Sequence, residues 1–119
     1  MHYYGHPKRS TEIVRDDVIP MLIKKGVNLT ADDQRRLLYY VEYHDDWISL
    51  RPKHLRRHMR MASLDEFKNL MWLQIADAQA HVMLPVIEER IRICSIWAGE
   101  YSSEVYRNLL NDGNLQSPQ

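Results

Sequence analysis

Apolar side chains recur at intervals of three and four along most of the chain, the period of helices that each bury one face. Ile13, Val14, Val18, Met21 and Leu22 keep this spacing after Pro7, a residue suited to a first helical turn, and Gly26 can end the helix in the left-handed conformation. Pro20 stands inside that span. It removes a backbone donor and crowds the preceding turn, so the first helix is expected to kink there or to form two pieces. Thr30, with Asp33 three residues on, resembles a capping box, and Leu37, Leu38 and Val41 give the second helix a buried stripe that runs to His44. Pro52 opens a short helix with Leu55 and Met59 expected inward. Ser63 and Glu66 form a full capping-box pattern at the start of a long, well-buried helix. In it Leu64, Phe67, Met71, Ile75 and Ala78 share one face, and Leu70, Leu73 and Asp77 an adjoining one.

Pro85 can start or kink a further segment in which Val86, Ile87, Ile91, Cys94 and Trp97 follow a helical period up to Gly99. A last helix is expected around Tyr101 to Leu110, and Asn111 to Gln119 reads as a flexible tail, since it holds Asp112-Gly113, Ser117 and Pro118. No strand-like alternation and no internal repeat is present. The pattern therefore predicts an all-α chain, a single bundle of five or six helices over residues 1–110 followed by the tail.

Composition narrows the class. The 119 residues carry 16 Lys plus Arg against 16 Asp plus Glu, so there is room for one domain and no net charge of the kind a dedicated nucleic-acid binder usually has. With 45% apolar and 27% charged residues the chain sits at the globular average. Its single cysteine, Cys94, cannot make an internal bridge, fits a reducing compartment, and lies among apolar neighbours as a packing residue. The longest apolar run is the five residues Leu37 to Val41, against roughly 20 for a membrane-spanning helix. The first residues lack the pattern of a secretory leader, so a soluble, cytoplasmic chain with no membrane partner is the expectation.

Three places combine metal-ligand chemistry with a largely apolar setting: His6 at the start of the first helix, the His44-Asp45 pair at the end of the second, and Asp77 within Leu73-Gln74-Ile75-Ala76-Asp77-Ala78. A carboxylate buried in such a helix needs a cation or several donors facing it. Imidazole nitrogens and carboxylate oxygens from different helices suit zinc, manganese or iron, and an open coordination position would activate water for attack on a phosphoester. The competing reading is structural. His6 is then solvated, Asp45 and Asp46 begin a loop, and Asp77 is satisfied by an arginine or by His81 one turn later.

The segment Tyr4-Gly5-His6 with Ser10, Ile13 and Val14, followed by Leu37-Leu38-Tyr39-Tyr40-Val41-Glu42-Tyr43-His44-Asp45, resembles the HD superfamily of metal-dependent phosphohydrolases. Trp72 to Ala78 resembles the helix that carries the family's distal aspartate. The likeness spans about Tyr3 to Ala80. It is strongest to the HD domain that accompanies tRNA nucleotidyltransferases and poly(A) polymerase-like proteins. It implies an HD-like helical fold and a divalent transition metal (Mn, Fe, Ni or Zn) held by His6, His44, Asp45 and Asp77. Asp45 would also be the catalytic carboxylate, and the ligand a nucleotide or other phosphoester.

Two registers are open. In the first, His6 leads, His44-Asp45 is the doublet and Asp77 closes a complete mononuclear site, although Asp46-Trp47 stands where the family usually has Gly-Lys. In the second, His6 and His44 match later histidines of the family, and the leading histidine and main doublet lie upstream of Met1. The second is preferred, because Tyr4-Gly5-His6 and Tyr43-His44-Asp45 match the downstream motifs better. It implies a truncated domain that cannot clamp a phosphate between two metals, and an exposed face that favours a homodimer.

Arg51-Pro52-Lys53-His54-Leu55-Arg56-Arg57-His58-Met59-Arg60 is the other chemical feature. With Leu55 and Met59 inward, Arg51, Lys53, Arg56 and Arg57 would project to solvent, where they can bind the phosphates of a nucleotide or of RNA, or a protein partner. The alternative is a solvated helix face. His54 and His58 are spaced to share a metal but lack the glutamate of a zinc-protease helix, and Tyr39, Tyr40, Tyr43 and Trp47 suit either base stacking or a core.

Overall fold

The computed structural model describes residues 6–113, with side chains from residue 10 onward. Every regular element among them is helical: α1 (His6–Ile13), a π-helical turn (Val14–Val18), α2 (Ile19–Lys24), α3 (Ala31–Tyr43), α4 (Pro52–His58), α5 (Leu64–Gln79), α6 (Pro85–Ala98) and α7 (Glu100–Asn111). Taking α1, the π turn and α2 as one continuous winding leaves six helices among the described residues, as the periodicity predicts. Where the sequence suggests one bundle over residues 1–110, the chain divides into two compact units, Met1–Asp46 and Trp47–Gln119. The division falls at the start of the non-helical stretch that precedes α4. None of the described helices is long and apolar enough to cross a membrane.

In the first unit, α1 and the π turn pack on α3. The span around Pro20 divides into two α-helical pieces, α1 and α2, joined by the π turn. The N–H of Ile19 reaches back five residues to the Val14 carbonyl, so the helix widens by one residue just before the proline ring, which then sits in the first turn of α2. At the far end Gly26 has φ of 96°, with Gly26 N–H donating to Ile23 and Val27 N–H to Leu22, the double bond pattern of a Schellman stop. Thr30 and Asp33 form the reciprocal box expected of them, 3.0 and 3.1 Å, and start α3. Among the described residues of this unit Ile19 and Tyr39 are the buried apolar ones, and the Tyr39 ring lies 5.5 Å from those of both Tyr40 and Tyr43.

The second unit is built on α5 and α6, which pack extensively against each other, with α7 against both and α4 against α7. Ser63 and Glu66 cap α5 reciprocally. Leu55, Phe67, Leu70, Met71, Cys94 and Trp97 are fully buried, and Phe67 meets the Trp97 ring edge-on at 5.4 Å. Trp97 donates its indole N–H to the Ser49 carbonyl at 3.0 Å and Tyr101 its hydroxyl to the Leu50 carbonyl at 3.1 Å. The strand-like approach to α4 is thereby anchored on α6 and α7.

Two inward positions differ from the sequence expectation. In α4 the fully buried partner of Leu55 is His58, whose ring lies 5.1 Å from Phe67, while Met59 is half-buried. In α5, Leu73 is exposed, with Trp72 beside it, and Gln74 rather than Asp77 is the buried polar residue in the later half of the helix. Phe67, Leu70, Met71, Gln74 and Ala78 form one continuous stripe at helical spacing, and Leu73 falls outside it. The last residue of α7 is Asn111, which the sequence reading had assigned to the tail; residues 114–119 of that tail lie outside the described residues.

Candidate functional site

His44 follows the last residue of α3 and caps it. Its Nδ1 lies 2.6 Å from the Val41 carbonyl oxygen one turn back, and since a carbonyl can only accept, Nδ1 carries the proton of this contact. Nε2 then faces the neighbouring carboxylate, 3.4 Å from Asp45 Oδ2. The His44 side chain is 25% exposed and that of Asp45 42%, so the pair is open to solvent on one side. An imidazole oriented through Nδ1 by a backbone carbonyl, with Nε2 beside a carboxylate, is a donor arrangement suited to a divalent transition metal.

The remaining members of the expected ligand set are placed differently. Asp77 belongs to the second unit and is half-buried, so its carboxylate does not present the buried charge that its apolar sequence neighbours suggest. The physical reason is rotational: Asp77 lies to one side of the stripe that ends in Gln74 and Ala78. His81 does bond one turn back, but through Nδ1 to the Asp77 backbone carbonyl at 2.8 Å rather than to the carboxylate. His6 begins α1, and its side chain lies outside the described residues, as do Tyr3, Tyr4 and Gly5. Among the described residues no group of three or more His, Cys, Asp or Glu side chains is placed to hold one metal ion. His44 and Asp45 stand together as a pair, and the described residues bring no third such donor to them.

Besides the capping residue Glu66, α5 and α6 bury two polar groups to which the sequence analysis gives no role, Gln74 and Arg90. Arg90 is 4% exposed, donates to Gln74 Oε1, and holds its guanidinium 4.9 Å from the centre of the Trp47 ring. Cys94 donates to the same Gln74 oxygen at 3.3 Å, and burial pushes its thiol above the ordinary cysteine value while the Arg90 charge pulls the other way. Gln74 and Arg90 are sixteen residues apart and on separate helices, so no local pattern announces their meeting. Trp47 is thereby a partner of Arg90, and Tyr39 a core residue.

The basic segment turns most of its cations outward, though about a different inward pair from the one its spacing predicts. Leu55 and His58 turn inward, Arg51, Lys53, Arg57 and Arg60 are exposed, and Arg56 is half-buried. Arg51 itself precedes the helix in extended conformation. From Trp47 to Arg60 there are five Lys or Arg and no acidic residue. In α3, Arg35 pairs with Asp32 at 2.9 Å and Arg36 with Asp33 at 2.5 Å. Comparison with family models, with curated proteins and with solved structures finds no match to this chain.

Proposed function

We propose that this chain is a helical module of HD-type phosphohydrolase descent that binds a divalent transition metal, and through it a nucleotide or other phosphoester, at the His44-Asp45 end of α3. The single observation that supports the reading is the orientation of His44, whose Nδ1 bond to the Val41 carbonyl leaves Nε2 toward Asp45 Oδ2. The family resemblance adds His6 to this pair. With two described donors rather than a closed set, the reading is one of binding, in which oxygens of water or of the phosphoester complete the coordination.

The test is thermal unfolding of the full chain, purified without chelator, with and without added Mn²⁺, Ni²⁺ or Zn²⁺. A ligand at a hundred times its dissociation constant stabilises by about 2.7 kcal/mol, a shift of several degrees for a chain of this size. That shift is expected in the natural chain and lost in His44→Ala. A melting temperature indifferent to all three metals sinks the reading.

A second reading is favoured by a different observation, the acid-free run from Trp47 to Arg60 with four exposed cations. In it the chain binds single-stranded RNA through phosphate contacts from Arg51, Lys53, Arg56 and Arg57. Each neutralised phosphate contributes about −0.7 to the slope of log affinity against log salt, so a slope near −3 is expected, reduced in the double variant Arg56→Glu, Arg57→Glu. Binding indifferent to salt counts against it. Persistence of binding in chelator separates it from the metal reading.

A further inference from the structure

The hairpin of α5 and α6 ends in a surface that its own unit leaves uncovered. Between Lys68 and Glu88 the chain carries one formal charge, Asp77, although 27% of all its residues are charged. Trp72 and Leu73 stand on the outward face of α5, Val82, Met83 and Leu84 form the connection, and Val86 lies in the first turn of α6. Val82 is 79% exposed, Trp72 58%, and the other four between 41% and 53%. The exposed Ala76 and Ala80 follow Trp72 at successive intervals of four, so the apolar stripe runs along α5 to the connection without a charge in it.

At the ordinary sizes of these side chains the exposed fractions amount to roughly 600 Å² of apolar surface, the upper end of what a monomer carries. Covering two such faces against each other removes on the order of 1,200 Å², the lower bound of standard specific interfaces. We propose that this face is the interface of a two-fold homodimer, with Trp72 as its central anchor. A two-fold axis brings each patch against its own copy, so a patch fit for it must avoid like charges that would meet across the axis. This one does. A lipid surface would instead be gripped by Lys and Arg bordering the apolar face. The basic residues flanking this stretch are otherwise engaged: Lys68 donates to Ser103 at 2.6 Å and Arg90 is buried.

Light scattering and sedimentation of the full chain across a concentration series, in chelator so that no metal can bridge copies, test the proposal. The expected particle has twice the 14.2 kDa chain mass at high concentration and dissociates on dilution. Trp72→Glu and, separately, Val82→Asp are expected to weaken association about thirtyfold or more, the scale of an interface hot spot. Both positions face solvent within their own unit, so circular dichroism should stay unchanged; Val82 lies outside any helix and keeps the test valid if the Trp72 variant is poorly folded. Met21→Glu, at an exposed apolar position of the first unit, is expected to leave association unaltered. A mass that stays at one chain throughout, a dimer that survives Val82→Asp, or a monomer that pellets with phosphatidylglycerol vesicles overturns the proposal. Its failure leaves the metal reading untouched, since chelator is present and His44 lies in the other unit.

Discussion

The Arg90 guanidinium lies 4.9 Å from the centre of the Trp47 ring, joining the middle of α6 to the first residue of the second unit. The same arginine donates to Gln74 on α5, so one buried cation ties together two helices and the segment that leads into α4. Trp97 and Tyr101 secure the next two carbonyls, those of Ser49 and Leu50. The basic run that begins at Arg51 therefore starts from a fixed point.

Removing that tie is expected to destabilise the chain unequally from its two ends. Trp47→Ala should cost about 1–2 kcal/mol, a partly desolvated cation–π contact plus some apolar area. Arg90→Ala should cost about 3 kcal/mol, because it also removes buried packing and strips Gln74 of a donor. Urea unfolding measures both, and equal costs would contradict the geometry.

The two capping boxes support separate helices. Thr30→Ala and Ser63→Ala are each expected to lower stability by about 1 kcal/mol, and the corresponding glycine variants by only a few tenths. Hydrogen exchange should place the first loss in the opening turn of α3 and the second in that of α5.

Asp33 makes the first box sensitive to acid. The Thr30 backbone N–H, then the Thr30 hydroxyl interaction and the Arg36 guanidinium, hold its carboxyl below the ordinary aspartate value. A carboxylate with a depressed folded-state pKa contributes stability that is fully present above its unfolded value and is lost as pH falls through its folded value. Stability between about pH 5 and pH 2 should therefore fall less steeply in Asp33→Asn than in the natural chain, as unfolding curves collected across that interval would reveal.

Cys94 is expected to be inert. It is fully buried, and burial raises its thiol pKa more than Arg90 lowers it, so little thiolate forms at neutral pH. Its reaction with a thiol reagent should proceed at the rate of opening of the second unit and should quicken in Arg90→Ala. Labelling as fast as that of a free thiol would show the site to be open.

Helix ends were legible in the sequence because their causes are local. Ser63 and Glu66 find each other across three residues, Gly26 reaches a φ of 96° without a side chain to prevent it, and Pro52 and Pro85 open helices where a missing N–H is harmless. Even Pro20 gave fair warning of a disturbance, though only the structure shows it resolved by a π turn. The candidate site was less legible. The His44 orientation rests on Val41, one turn back, within reach of sequence spacing, whereas the half-buried position of Asp77 depends on which face of α5 meets α6.

The sequence by itself determined that this protein is helical, where most of its helices begin and end, and that a basic run occupies the surface of α4. Tertiary structure alone decided that Gln74 and Arg90 rather than Asp77 are the polar groups buried between α5 and α6, that His58 rather than Met59 turns inward, and that Trp72 and Leu73 face solvent. The reason is that α5 is apolar on more than one face. Its periodicity marks a helix without naming the buried side, and that choice is made by neighbours from distant parts of the chain, whose packing sets the rotation of the helix about its axis.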